Sequence, residues 1–231
     1  MKVRVIRPEN LREVPIFPLP GTVLLPRTLI SLHVFEPRYR TMTEDCIEGH
    51  RLMVIAMVDP SRDPDAHGRP AIHPVAGLGA LRRSVKLPDG RFNLVIEGLA
   101  RVDIRHELPP DRVYRRAHAR VLRDVVPDDA GSIAASLASV RALCSRAIAD
   151  MKPEEASGIE NLSQVDDPGQ LADMVAAATM TESLDRQQVL AETNVDKRLQ
   201  LVAGALGAAL ITQHKDAPEG AFGWGIRPGQ A

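Results

Sequence analysis

Aromatic side chains are scarce in this sequence: four Phe, two Tyr and one Trp make up only 3% of its 231 residues. Proteins that bind single-stranded nucleic acid by base stacking need several aromatic rings, and this sequence contains few residues that could form such a stacking surface. Cysteine is also rare, because only Cys46 and Cys144 occur and they form no C-x-x-C pair. This spacing excludes the usual zinc and redox thiol motifs, and both thiols are expected to be small buried hydrophobic side chains.

Long apolar runs are missing as well. No uninterrupted run approaches the roughly 18 residues of a membrane span, and the charged first ten residues contain no apolar signal-peptide core. The composition, with 44% hydrophobic and 26% charged residues, is that of an ordinary soluble domain. We therefore expect a cytoplasmic protein with no membrane partner.

The motifs of common enzymes are absent too. There is no G-x-x-x-x-G-K-[ST] loop for a nucleotide phosphate, no G-x-S-x-G elbow and no H-E-x-x-H pair. His67 and His73 share one loop, but two histidines without a fixed scaffold are typical of solvated loop residues. Ser31 and His33 would point side by side from a strand with no carboxylate to orient the imidazole. The sequence therefore predicts no catalytic residue, no metal site and no cofactor.

Charge is distributed unevenly although the net charge is only −1. Residues 82–123 carry a balance of +6 and residues 124–196 a balance of −10, which predicts two units with different surfaces. Arg116, His118 and Arg120 alternate and would share one strand face. That face either docks against the acidic half, which we favour, or binds nucleic acid, so an RNA-binding module remains the alternative function.

The first half of the chain has the patterns of strands. Residues 28–35 alternate apolar and polar side chains, and residues 52–58 form a short apolar run typical of a strand buried on both faces. Pro88-Asp89-Gly90 predicts a turn between two strands. One helix is expected between Pro37, which suits a first helical turn, and Gly49, which suits a stop.

The second half has the three-to-four spacing of helices. Residues 133–151 predict a long helix that ends at Pro153 and Gly158, and a further short helix is expected over residues 184–191. Asp167 and Asn194 stand where they can cap two other helices. The predicted organisation is a β-rich unit over residues 11–126, a helical bundle over residues 128–210 and a mobile tail over residues 211–231.

A family resemblance begins in the first unit, where residues 14–27 read VPIFPLPGTVLLPR and residues 32–40 read LHVFEPRYR. This pattern resembles the opening of the substrate-binding (N-terminal) domain of Lon proteases, in a stand-alone form. Further matches follow in the same order along the chain. They are GLG at 77–79, DGR at 89–91, EGLARV at 97–102, LAD at 171–173, QVL at 188–190 and NVDKRL at 194–199.

The resemblance implies an α+β protein, in which a PUA-like, partly closed β-barrel with one helix is followed by a helical bundle. It implies non-catalytic binding of exposed apolar or unfolded polypeptide segments, with a protease or chaperone ATPase as a further partner. It relates the chain to peptidase family S16, but the ATPase and peptidase motifs of that family do not occur here. An enzyme activity is therefore not expected.

A peptide site is predicted where prolines interrupt regular strand pairing. Pro15, Pro18 and Pro20 should make their segment an edge or irregular strand that an extended peptide can join. We expect nearby apolar side chains to line the site and two arginines to hold peptide carbonyl or carboxylate groups at its rim. The candidate residues are Phe17, Leu24, Leu25, Leu29, Phe35, Arg38 and Arg101.

Overall fold

The computed structural model describes residues 6–149, 162 and 165–216. It divides the chain into two compact units, one ending at Leu122 and the other beginning at Arg123. The first unit contains all six strands and one helix, whereas the second contains four helices among its described residues. The change from strands to helices falls close to the change in charge along the sequence.

The first unit is built on one mixed sheet. Its elements are β1 (Val14–Leu19), β2 (Leu29–Val34), α1 (Pro37–Glu48), β3 (Leu52–Met57), β4 (Val75–Lys86), β5 (Phe92–Glu107) and β6 (Arg115–Val121), after a 3-10 turn at Pro8–Leu11. The long strand β5 pairs with β2, β4 and β6, while β1 lies between β3 and β6. Five strands therefore form a closed circuit of pairings and β2 is added outside it. The sheet is partly closed as expected, but it is not a regular barrel.

Strand β1 is an interior strand, so of the two expected outcomes, an edge or an irregular strand, the edge is wrong. It pairs with β6 through Val14–Ile16 and, in parallel, with β3 through Ile16–Leu19. Pro15 therefore faces a ladder partner only in β6, and Pro18 only in β3. A proline has no backbone N–H to donate to a neighbouring strand. Because each proline of β1 has a neighbouring strand on one side only, the missing donor does not interrupt a ladder on both sides.

Strand β3 shows how the sheet buries apolar side chains on both faces. Its six residues are all buried, as the apolar run predicted. Leu52, Val54 and Ala56 belong to one core cluster, and Met53 and Ile55 belong to another. This alternation is the period-two geometry of a strand between two apolar layers. Helix α1 supplies its buried stripe to the second cluster through Tyr39, Met42 and Cys46.

The glycines of the resemblance motifs make room for a chain segment that crosses the sheet. A Cβ built on Gly77 would stand 2.1 Å from the carbonyl oxygen of Leu24, and one on Gly98 would stand 2.1 Å from that of Leu25. Arg27 N–H also donates to the carbonyl oxygen of Gly98 at 2.8 Å. The segment 24–27 is therefore laid directly on β4 and β5, where only glycine leaves enough space.

The second unit contains α2 (Ala130–Ala149), α3 (Pro168–Thr179), α4 (Ser183–Ala191) and α5 (Val195–Asp216). The predicted caps are present: Asp167 accepts the N–H of Gln170 at 2.7 Å, and Asn194 Oδ1 accepts that of Lys197 at 3.1 Å. Pro153 and Gly158, predicted to end the first helix, lie outside the described residues.

Helix α5 includes the first residues of the segment that the sequence predicted to be a mobile tail. Helix α5 continues through residues 211–216, since the sequence contains no helix breaker between Leu210 and Pro218. Residues 217–231 lie outside the described residues.

Helix α2 is one described helix with the length and apolar composition that a membrane crossing requires. It packs along α5, and its buried residues are Val140, Cys144 and Ala147. The hydroxyls of Ser132 and Ser136 donate to Asp196 of α5 at 2.7 and 2.6 Å. Helix–helix packing therefore buries part of the apolar side of this helix, and 17% of its most apolar 18-residue window is buried.

Candidate functional site: the free edge of strand β2

Three of the predicted site residues are buried in the core. Phe17, Leu24 and Leu25 expose 4%, 0% and 1% of their surface. A bound peptide could not contact these side chains without displacing the core. The physical reason is that β1 lies inside the sheet, and that the Leu24–Leu25 segment rests on glycines rather than standing out from the surface.

The two predicted rim arginines also differ in their placement. Arg101 exposes only 3% of its surface, and its carbonyl oxygen accepts the N–H of Leu122. It is therefore not available at a rim. Arg38 is at the surface, with its guanidinium 2.7 Å from Glu36 and 4.7 Å from the ring centre of Tyr39. Of the predicted residues, Leu29, Phe35 and Arg38 are accessible.

Strand β2 begins at one of these accessible residues, Leu29, ends directly before another, Phe35, and has one free side. Among the described residues its only ladder partner is β5. Gly98 N–H donates to the carbonyl oxygen of Thr28 at 2.9 Å, and the register continues in antiparallel alternation. This alternation directs the backbone N–H and C=O groups of Leu29, Ser31 and His33 away from β5.

The composition of β2 leaves that side open to further pairing. Its sequence LISLHV contains no Asp, Glu, Lys or Arg and no proline, although charges and prolines are the features that usually protect edge strands. Leu29 and Phe35 are 64% and 62% exposed. Leu29, Ser31, His33 and Phe35 follow the same alternation and share one face, with the rings of His33 and Phe35 6.4 Å apart.

The far end of β2 is held in place by the turn between β4 and β5. Arg91 Nη1 donates to His33 Nε2 at 3.2 Å, so His33 Nδ1 carries the proton and donates to Asn93 Oδ1 at 2.7 Å. Asp89 in turn holds Arg91 at 2.6 Å. His33 therefore orients a strand end and is not free to serve Ser31 as a base. Sequence reasoning missed this network because its members are about 60 residues apart.

The basic strand stretch is largely neutralised within its own unit. Five of its arginines have a carboxylate partner on the sheet or in an adjoining loop, and the side chain of Arg116 is only 14% exposed. Such pairing reduces the positive field that phosphate binding would need. The pairs are Arg82–Glu97, Arg105–Asp103, Arg115–Glu107, Arg116–Asp111, Arg116–Glu13 and Arg120–Asp103.

Two motifs of the resemblance meet in a buried ion cluster in the helical unit. Arg198 exposes none of its surface and makes two bonds to Asp124, at 2.5 and 2.9 Å. Its Nε lies 3.4 Å from Asp173, which is also buried. Burial alone would lower the pKa of Arg198, but the hydrogen bond with Asp124 and the charges of Asp173 and Asp124 raise it above the ordinary value. These motif residues are therefore structural.

Neither thiol chemistry nor a metal site is built into the described residues. Burial, followed by the charge of Asp45, raises the pKa of Cys46 to about 12, so this thiol is protonated at neutral pH. Burial also raises the pKa of Cys144. No group of three or more His, Cys, Asp or Glu side chains that could hold a metal ion occurs in the described part of the chain.

A second concave surface lies in the helical unit. A groove of about 630 Å³ runs between α4 and α5, and a recess of about 180 Å³ continues it towards the α3–α4 connection. Sequence reasoning did not single out this groove. It is lined by Met180, Asp185, Gln188, Val189, Glu192, Lys197, Gln200, Leu201, Gly204 and Ala205.

Comparison with known proteins assigns the chain to a family. Residues 13–207 match the family described as the ATP-dependent protease La (LON) substrate-binding domain, and the chain belongs to that family. It is 26% identical over 209 residues to Lon protease of Xanthomonas oryzae pv. oryzae, and 28% identical over 191 residues to Lon protease 1 of Herpetosiphon aurantiacus. These alignments cover 90% and 81% of this chain but only 24% and 23% of the relatives. The chain therefore spans about a quarter of the length of these curated relatives.

Solved structures agree with this assignment at the level of the fold. The N-terminal domain of Mycobacterium avium complex Lon protease matches with a TM-score of 0.67 and 18% identity, covering 85% of this chain and 98% of that one. A Lon N-terminal domain protein from Xanthomonas campestris matches with a TM-score of 0.58 and 18% identity, covering 83% and 97%. The α+β architecture predicted from the resemblance is thus confirmed.

Proposed function

We propose that this chain is a non-catalytic recognition domain that binds exposed apolar or unfolded polypeptide segments along the free edge of β2. The observation that carries the proposal is the edge itself. It is uncharged, contains no proline, has one ladder partner among the described residues and is flanked by exposed Leu29 and Phe35. An extended segment added there would bond to the outward backbone groups of Leu29, Ser31 and His33.

This mode of binding fits a domain that must accept many sequences. Backbone hydrogen bonds supply affinity without regard to side chains, and Leu29 and Phe35 select apolar side chains at the two ends. Residues 29–35 span about 20 Å in extended conformation, enough for a segment of about six residues. Membership in a family described as a substrate-binding domain supports this role. In our proposal a protease or chaperone ATPase acts on the bound segment, and this domain itself hydrolyses neither ATP nor protein.

The test removes one outward backbone donor and leaves the ladder to β5 intact. Ser31→Pro eliminates the outward N–H, while Ser31→Ala keeps it and serves as the matched control. The probe is fluorescein-labelled, reduced and carboxymethylated lactalbumin, and its binding is followed by anisotropy. We expect saturable binding by the wild type and by Ser31→Ala, and an affinity about tenfold lower for Ser31→Pro, which corresponds to about 1.4 kcal/mol.

Two results would contradict the proposal in different ways. Unchanged affinity of Ser31→Pro would move the binding surface away from β2 while leaving the recognition role in place. The absence of saturable binding by the wild type would remove the proposed function itself. Ser31 is exposed on an edge strand, so proline at this position is compatible with folding. Far-UV circular dichroism checks that both variants are folded.

A further inference from the structure

The groove between α4 and α5 is lined along part of α5 by small side chains. Gly204, Ala205, Ala208 and Ala209 line the groove or its recess. Apart from its chain neighbours and the adjacent backbone of α5 itself, no atom lies within 4 Å of the position that a Cβ on Gly204 would take. The volume of about 630 Å³ lies in the range of cavities that hold sizeable apolar ligands. The part of the groove beside these small residues of α5 therefore has room for large side chains from another segment.

The walls of this groove are apolar and its rim is predominantly acidic. Met180, Val189 and Leu201 provide the larger apolar side chains. The charged residues that line the groove and the recess comprise three carboxylates and one lysine. They are Glu182, Asp185, Glu192 and Lys197. An occupant of matching chemistry has large apolar side chains and a positive charge beside them.

We propose that residues 217–231 of this same chain, which directly follow α5, occupy the groove. Phe222, Trp224 and Ile226 alternate with Gly223 and Gly225 in this segment. In extended conformation the three large side chains would lie on one side, and the glycines would let the backbone approach the small residues of α5 closely. The next residue is an arginine, at position 227, which would meet the acidic rim.

The length of the segment allows it to reach the groove. Gly204 lies twelve residues before Asp216, about 18 Å along the helix axis. Six extended residues, 217–222, span about 20 Å. A segment that turns back along α5 therefore places Phe222 and Trp224 beside Gly204 and Leu201. This surface belongs to the helical unit, so the inference does not rest on binding at β2.

The test uses the intrinsic fluorescence of the full-length chain, because Trp224 is its single tryptophan. We expect native Trp224 emission to be shifted to shorter wavelength than in the urea-unfolded chain and to be less accessible to acrylamide. Gly204→Leu fills the groove, so its emission and quenching should approach the values of the unfolded chain. Gly207→Leu is the matched control, since Gly207 also has nothing within 4 Å but does not line the groove. It should behave as the wild type.

A second variant keeps the inference testable if Gly204→Leu fails to fold. Leu201→Lys changes a wall residue that is already 37% exposed, and it should expose Trp224 to quencher in the same way. The inference is overturned if native Trp224 is as accessible as in the unfolded chain, if folded groove variants leave its emission unchanged, or if Gly207→Leu changes it equally. Protection that disappears on dilution would assign the groove to the segment of a second copy, which also overturns the inference.

Discussion

Removing the charge of Arg198 should destabilise the helical unit strongly. Arg198→Met keeps an apolar stem of similar length but removes the guanidinium that lies 2.5 Å from Asp124 and 3.4 Å from Asp173. Arg198 is fully buried, and Asp173 is 2% exposed. Breaking a buried ion pair by deleting one partner typically costs about 3–5 kcal/mol, because it leaves an uncompensated charge. We expect a loss of that size in the free energy of unfolding.

Most of this loss should come from Asp173, since Asp124 is partly exposed and can be hydrated. Adding Asp173→Asn to Arg198→Met removes the buried carboxylate charge that the guanidinium no longer compensates, and it should recover about half of the loss. The measurement is urea unfolding followed by far-UV circular dichroism, with free energies from linear extrapolation.

Two outcomes would refute this reasoning. If Arg198→Met unfolds at the same urea concentration as the wild type with an unchanged slope, the cluster contributes nothing to stability. If the double variant is no more stable than Arg198→Met, the cost does not arise from the charge of Asp173. In the second case we would attribute the loss of stability to the hydrogen bond of 3.2 Å that the Arg198 guanidinium donates to the Glu192 carbonyl oxygen.

Three further substitutions test packing, helix propensity and a titrating hydrogen bond. Gly98→Ala should destabilise the β unit by about 1–3 kcal/mol, because its Cβ would stand 2.1 Å from the Leu25 carbonyl oxygen. Gly207→Ala should instead stabilise α5 by about 0.5–1 kcal/mol, because alanine has a higher helix propensity than glycine. Thermal unfolding measures both changes in stability and distinguishes their opposite signs. Hydrogen bonds from Ser136 and then Ser132 lower the pKa of Asp196, so they stabilise the fold above the unfolded pKa and lose that effect as pH falls through the folded pKa. Ser136→Ala should therefore cost about 1 kcal/mol at neutral pH and almost nothing in acid, as checked by urea unfolding across that range.

The local elements were largely predictable from residue patterns. The strand around residues 52–58, the helix from Pro37 and the turn at Gly90, whose φ is 82°, all follow from neighbouring residues. Asp167 and Asn194 cap their helices as predicted. Each of these features depends on hydrogen bonds or faces within a few residues, and such information is fully present in a short stretch of sequence.

The candidate site was only partly predictable for the same reason. Leu29 and Phe35 were predicted to line it and are exposed, while Phe17, Leu24, Leu25 and Arg101 are buried. The apolar character of a side chain does not indicate whether it fills a core or stands on a surface. That outcome depended on which strands pair with β1 and on glycines more than 50 residues further along the chain.

By itself the sequence determined the periodicities, the caps, the turns and the order of motifs that resembles the Lon substrate-binding domain. The tertiary structure alone decided that β2 keeps a free edge, that Arg198 meets Asp124 across 74 positions, and that Arg115 and Arg116 find carboxylates in their own unit. Hydrogen bonds within a helix turn connect neighbours in the chain. Ladder partners, close backbone approaches and buried ion pairs instead join residues whose separation in sequence places no limit on their distance in space.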